Sequence, residues 1–298
     1  MSTVPAARGS APVPVAVGPE ARPRVWRVWR RFPIVPLLLL APLLLLGLFG
    51  WVFTSGDAAG IDLGASLVPP FQSWSHPLGT DPYGRDVLNR LIEGAHYTLI
   101  VAIVGVAIAG LIGVLVGVVA GHVGGRVDDV LMRVVDMQLA VPPILLALLI
   151  AGVFRGGLLA VIATIGVAFW CTYARIVRGD TLGLMHRDFI ALAVVGGASR
   201  WRIMRRHLLP NLLALVVVLA TLQLGAAVGL ESALSFLGLG IQPPATTWGL
   251  MIADGQGYLD TAWWVATFPG IAIACTVLGA NLLGDWLRDR LDPTLRRA

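Results

Sequence analysis

The sequence predicts an all-α membrane protein of six transmembrane helices, and three observations carry that expectation. First, 57% of the 298 residues are apolar and 13% are charged, where a soluble domain carries about 25% charged residues. Second, uncharged apolar runs recur along the chain, each near the roughly 20 residues that a helix needs to cross a bilayer. Third, the basic residues, all 22 of them arginine, fall almost entirely between alternate runs. That is the pattern of cytoplasmic loops.

Taken in order, residues 1–24 are rich in Pro, Ala and Val without periodicity, which predicts a disordered cytoplasmic tail. Arg24, Arg27, Arg30 and Arg31 alternate with Trp26 and Trp29. This predicts a basic aromatic collar at the membrane surface over 25–33. The uncharged run 34–53 is longer than a secretory signal core and is read as an uncleaved first transmembrane helix. Residues 54–96 are mixed in character and include Asp57, Asp62, Asp81, Asp86 and Glu93; they form an extracytoplasmic segment. A five-helix core follows over 97–285, with spans at 97–120, 131–153, 158–177, 211–234 and 263–285. Pro142 and Pro143 are expected to kink the third span. Residues 286–298 return to the cytoplasm.

Six spans starting inside place both termini in the cytoplasm. Only Arg85, Arg90 and Arg155 then lie outside, as the positive-inside rule demands. Trp51, Tyr97, Trp263 and Trp264 fall at outer boundaries and Trp286 at an inner one, as interfacial aromatics do. The net charge of +5 therefore reflects topology and not a nucleic-acid surface.

The absence of lysine excludes a P-loop and Schiff-base chemistry. Cys171 and Cys275 sit in apolar runs and read as small buried hydrophobes. The histidines at 76, 96, 122, 186 and 207 are scattered over both sides without metal-ligand spacing, and His122 and His186 read as exposed loop residues. No catalytic constellation and no metal site is predicted. Ala109, Gly113, Gly117 and Gly121, four apart, predict close helix packing. Asp86 and Arg90 are expected to pair on a helix surface, with Asp81-Pro82 as a helix start. Asp136 is expected to be neutralised by Arg133. Glu231 is read as a cap or partner contact.

The most informative segment is the cytoplasmic loop 178–210, which reads RDFIALAVVGGASRWRIMRRHLLPN from Arg187 to Asn211. Phe189, Ile190, Leu192 and Ala193 fit a short amphipathic helix. Gly196-Gly197 ends it. Ala198 to Leu209 fits a second helix with Trp201, Met204 and Leu208 on one side, and Pro210 opens the next span. Amphipathicity alone leaves two readings open: an interfacial helix held by lipid phosphate, or a docking element for a protein.

With its late glycine and closing His-x-x-Pro-Asn, this loop resembles the EAA loop of ABC importer permeases. HPLGTDPYGRDVLNRLIEGA (76–95), GGRVDDVLMRVVD (124–136) and ESALSFLGLGIQPPATTWG (231–249) are similar to the dipeptide/oligopeptide/nickel branch of that family, in its C-type permease. The resemblance covers roughly residues 76–292. It departs at Ala191 and Leu192, where the loop's name would have Glu and Ala, and modestly at His96 and Thr98.

The resemblance implies a type I importer permease fold in the bacterial cytoplasmic (inner) membrane. It implies a coupling role for Arg187, Asp188, Phe189, Ile190, Ala193, Gly197, Ala198, Arg202, His207 and Pro210, which would dock onto an ATPase. Asp188 is then the candidate for the shifted acidic contact. It implies that Asp81, Arg85, Asp86, Pro243, Pro244 and Trp248 face an extracytoplasmic solute-binding protein. The implied partners are a second homologous permease, two ATPase subunits or domains and the bilayer. ATP and Mg would sit on the ATPases and no cofactor on this chain. The implied cargo is short peptides, with nickel complexes or another small solute as the alternative. A secondary transporter, the rival class, would carry inverted repeats and mid-bilayer charges, which this sequence lacks.

Overall fold

The computed structural model describes residues 33–50, 60–154 and 156–291. The expected tail and most of the collar lie outside them. From Ile34 onward the chain packs as one unit.

Helix α1, Ile34–Phe49, is wholly apolar and carries Pro42 in its interior. Its 16 residues reach about 24 Å, less than the roughly 30 Å of a hydrocarbon core. Residues 60–86 form an irregular lobe. Thr80 pins it, donating to the Ala65 carbonyl at 2.5 Å and accepting from Val68 N at 2.8 Å.

Helix α2, Val87–Val123, is 37 residues long and starts well before the expected span. Asp86 is its N-cap, accepting from Asn89 N at 2.8 Å. The expected helix start at Asp81-Pro82 is therefore displaced to Asp86, whose carboxylate reaches the orphan amide of the first turn. Gly124 and Gly125, both at positive φ, turn the chain into α3, Gly125–Leu139.

The expected third span is not one helix. Helix α3 and α4, Pro143–Phe154, meet at a bend of 86°. Two consecutive prolines remove two donors and push the preceding residue out of the helical region. The kink read from the sequence is thus a break.

Helix α5, Leu158–Met185, runs past its expected end. It is followed by α6, Asp188–Val195, and α7, Arg200–Ile203. A π-helical turn, Met204–Leu208, leads into α8, Leu209–Phe236. The second loop helix and the fifth span are therefore one helical rod from Arg200 to Phe236. Pro210 does not separate them. The wider π turn, closed by Leu209 N on the Met204 carbonyl, absorbs the donor that Pro210 lacks. Helix α9, Trp248–Gly255, and α10, Trp264–Leu291, complete the bundle.

Among the described residues, four helices are long and apolar enough to cross a membrane: α2, α5, the α7–α8 rod and α10. A fifth span results if the α3–α4 pair is counted. Among the described residues the expected six spans resolve into four full helices, one broken pair and α1, whose expected last residues, 51–53, lie outside the described ones.

The core centres on α2 against α5. A Cβ on Gly105 would lie 2.6 Å from Ile165 Cγ2, one on Gly117 2.6 Å from the Ala174 carbonyl oxygen, and one on Gly121 2.8 Å from Thr181 Cβ. The small-residue stripe is thus a close helix–helix seam. Gly117→Leu is expected to cost at least about 1–3 kcal/mol through overpacking, because the atom it meets is backbone. A fall in the melting temperature of the purified protein, larger than for Gly179→Leu, checks this; no atom lies within 4 Å of a Cβ at Gly179. Outward-facing Leu111, Leu115, Leu149 and Leu278 are more than half exposed, as lipid-facing side chains should be.

Candidate functional site

The loop 187–210 is built as two short helices held from beneath. Ile190 is buried with Val118, Val177, Ile203, Leu208 and Leu212, so one residue of α6 anchors the loop to α2, α5 and the α7–α8 rod. The rest of α6 is bare. Leu192 is 71% exposed and Val195 86%, and Val194 and Phe189 are also exposed. The Phe189 and His207 rings lie 6.3 Å apart, tying α6 to the π turn.

Helix α6 stops through backbone geometry. Gly197 sits at φ +76°. Its N–H donates to the Val194 carbonyl at 3.0 Å, and Ala198 N donates to the Ala193 carbonyl at 3.0 Å. These two bonds make a Schellman cap, which needs a left-handed residue at the position Gly197 fills. Ser199 then caps α7, accepting from Arg202 N at 3.4 Å.

Arg187 and Asp188 lie exposed at the start of α6, Arg202 and Pro210 are exposed, and Ala193, Ala198 and His207 are partly buried. The His207 carbonyl accepts from Asn211 Nδ2 at 2.6 Å. The expected one-sided grouping of Trp201, Met204 and Leu208 does not form. Leu208 is buried and Trp201 is 65% exposed, because the π turn rotates the residues after Ile203 relative to an α-helix. His122 is no loop residue either; it ends α2 with Nδ1 3.3 Å from Met185 Sδ.

On the opposite end the structure assembles a charge cluster that the sequence only partly indicated. Asp81 is fully buried. Its Oδ1 accepts from Tyr83 N at 2.8 Å and Arg85 N at 2.9 Å. Its Oδ2 accepts from Arg85 Nε at 2.6 Å and Arg90 Nη1 at 2.7 Å. Both arginines also reach Asp254 Oδ2, at 3.2 Å from Arg85 and 2.8 Å from Arg90. The expected Asp86–Arg90 pair is absent. Arg90 turns inward to Asp81 and Asp254, and Asp86 instead bonds His76 Nδ1 at 3.0 Å. Nothing in the local spacing around Arg90 could have supplied Asp254, which lies on α9.

A cavity of ≈ 240 Å³ opens beside this cluster, lined by Tyr83, Arg85, Arg90, Pro243, Pro244 and Asp254 among others. Pro243 and Pro244 are exposed at its rim. Trp248, expected as an outward anchor, is fully buried. Its Nε1 donates to the Leu91 carbonyl at 2.9 Å and its backbone N to Thr98 Oγ1 at 3.3 Å. Its indole fills the space that Gly94 leaves open, so burial removes both Trp248 and Asp81 from the outward-facing set.

Glu231 is likewise interior. Its carboxylate accepts from Ser235 Oγ at 2.7 Å and Ser232 Oγ at 3.4 Å. Between α3 and α5, Asp136 pairs with Arg175 and not with Arg133, while Asp128 takes Arg178 through both oxygens at 2.5 Å. Among the described residues no three His, Cys, Asp or Glu side chains group to hold a metal ion.

A bundle of long apolar helices with a bare helix pair at one end has the architecture of a membrane permease subunit. Comparison with known proteins places it further. Residues 113–297 match the family described as binding-protein-dependent transport system inner membrane component. The chain is 37% identical over 260 residues to the probable D,D-dipeptide transport system permease protein DdpC of Escherichia coli K12, covering 87% of each chain. It is 40% identical over 221 residues to the di/tripeptide transport system permease protein DppC of Pseudomonas aeruginosa, covering 74% of this chain and 73% of that one. Its fold resembles a chain of the MetNI methionine ABC transporter in an inward-facing conformation, with a TM-score of 0.57 at 22% identity over 68% of this chain and 96% of that one. The chain belongs to the family of binding-protein-dependent transport system inner membrane components, as a permease subunit of an ABC importer.

Proposed function

We propose that this chain is the non-catalytic C-type permease of an importer for short peptides, forming the pathway with a second homologous permease. Loop 187–210 docks onto a separate ATPase, and two ATPase subunits or domains supply ATP and Mg chemistry that this chain does not. An extracytoplasmic binding protein delivers the solute to the outer rim at Pro243 and Pro244. Both termini lie in the cytoplasm.

The observation that carries this reading is the exposed apolar face of α6, seated on the buried Ile190 and linked to the α7–α8 rod through the Gly197 cap and the Phe189–His207 contact. Leu192 and Val195 would otherwise leave apolar surface in water. Because the second loop helix and a spanning helix are one rod, a push passed from α6 to α7 would tilt that rod within the membrane. No chemical group is needed for that transmission. Peptide cargo rests on the similarity to DdpC and DppC, whose names specify dipeptides and di/tripeptides.

The test is co-expression with permease, ATPase and binding-protein candidates, reconstitution in lipid, and measurement of ATP hydrolysis. Hydrolysis should rise with a binding protein loaded with di- or tripeptide. Stimulation only by chelated nickel would remove the peptide assignment, and failure of any ATPase to co-purify would remove the coupling assignment. In the same preparation Leu192→Asp is expected to weaken ATPase association at least about tenfold, from loss of roughly 1.5–3 kcal/mol of side-chain burial. The free subunit should melt as the parent does, because Leu192 is solvent-exposed.

A further inference from the structure

The Asp136–Arg175 ion pair leaves both side chains more than half exposed, Asp136 at 62% and Arg175 at 54%. Its depth follows from its neighbours. Gln138 donates its amide to the Val167 carbonyl and accepts from Trp170 Nε1 at 3.0 Å. Val167 lies next to the middle of the uncharged run 158–174.

Helix α3 runs antiparallel to α5, since Asp128 holds Arg178 at one end and Gln138 holds Val167 at the other. From Val167 to the Arg175 Cα is about 12 Å along the axis, within a hydrocarbon half-thickness of about 15 Å. Helical side chains lean toward the N-terminus, so Arg175 reaches back toward the midplane. Charges at such depth face a water-filled cavity or protein and not lipid chains. Arg133, one turn from Asp136 toward the cytoplasm, is also exposed and joins no ion pair among the described residues.

We infer that Asp136, Arg175 and Arg133 form a polar wall of the translocation pathway in the cytoplasmic half of the membrane, meeting the charged ends of a zwitterionic solute. The inference rests on the permease reading above. In the empty pathway Asp136 and Arg175 neutralise each other. A passing solute exchanges partners with them, its ammonium taking Asp136 and its carboxylate taking Arg175 or Arg133. The protein pair re-forms behind it, which keeps the contact weak enough for the solute to leave.

The test uses the complete transporter in proteoliposomes, with Cys171→Ala and Cys275→Ala as the parent. Asp136→Cys, Arg175→Cys and Arg133→Cys are compared with Leu111→Cys and Leu149→Cys, two exposed apolar positions. A charged, membrane-impermeant methanethiosulfonate is the probe, offered from the cytoplasmic side. Wall positions are expected to react about 100-fold faster than the leucine positions, since the probe partitions with water and not lipid.

In Arg175→Gln, dipeptide uptake per ATP hydrolysed is expected to fall about tenfold, the equivalent of 1.4 kcal/mol, with the melting temperature of the complex unchanged. Labelling as slow as at Leu111 would overturn the inference, placing the pair against lipid or sealed beneath the partner permease. A fall in melting temperature that accounts for the lost uptake would overturn it as well. Arg133→Cys decides the labelling result if the pair variants fail to assemble. Loss of binding-protein-stimulated hydrolysis in the cysteine-free parent would count against the permease reading, not against the wall.

Discussion

Gly197→Val should abolish most coupled uptake while leaving the helical bundle folded. Gly197 sits at φ +76°, where a Cβ costs an L-residue about 1–2 kcal/mol and a β-branched side chain more. Space is not the obstacle, since nothing lies within 4 Å of a Cβ there. The strain is entirely in the backbone. It can be relieved only by giving up the two bonds that stop α6, from Gly197 N and Ala198 N. The helix would then extend or redirect, and the bare face of Leu192, Val194 and Val195 would leave its present alignment with the rod. Because 1.4 kcal/mol is a factor of ten, uptake should fall at least about tenfold, with ATP hydrolysis no longer responding to the loaded binding protein. Gly197→Asn should retain most activity, since Asn tolerates the left-handed region. Side-by-side uptake and hydrolysis assays read the result. A Val variant that couples normally would show that the cap geometry is not what positions the loop.

The second large effect is on stability. Arg90→Met should cost about 3–5 kcal/mol, the range for removing one partner of a buried ion pair. Arg90 is 1% exposed and Asp81 0%. Without Arg90, Asp81 keeps Arg85 alone, and Asp254 loses its shorter contact. Arg85→Met should cost less, because Arg85 is 19% exposed and Arg90 remains on both acids. Denaturant or thermal unfolding in detergent measures both. Equal losses would mean that the two arginines share the cluster's energy evenly and that burial of Arg90 is not decisive. The cluster joins the lobe 60–86, α2 and α9, so the same variants should loosen the rim at Pro243 and Pro244.

Some of this was legible from residue order. Gly117 and Gly121 could be read as packing residues because a four-residue period places them on one face of a helix whatever its neighbour. The end of α6 at Gly196-Gly197 was readable because helix termination depends on local backbone freedom. Pro142-Pro143 announced a disturbance for the same reason, though its size, a bend of 86°, depends on what α3 and α4 each pack against.

Other features were not legible, for one physical cause. The partner of Arg90 is Asp254, far along the chain, and the helix-spacing rule that offered Asp86 knows only neighbours. Trp248 was placed outward with Pro243 and Pro244 as what the family resemblance implied, an exposed Trp being a good interface anchor. Its burial follows from Gly94 leaving room on α2 and from the Leu91 carbonyl accepting the indole N–H. The rod from Arg200 to Phe236 was divided at Pro210 by a rule that holds for ordinary α-helices, and the π turn is the exception that rule omits.

The amino-acid sequence by itself determined the solvent and the surface loop with its short helices, and the arginine placement set the expected sidedness. Apolar run length and arginine placement act through the bilayer before any tertiary contact forms. Only the tertiary structure decided which charges are buried together, which face of the loop stays bare, and that the second loop helix and a spanning helix are one continuous rod. Those outcomes depend on residues distant in sequence competing for the same space and the same hydrogen-bond partners.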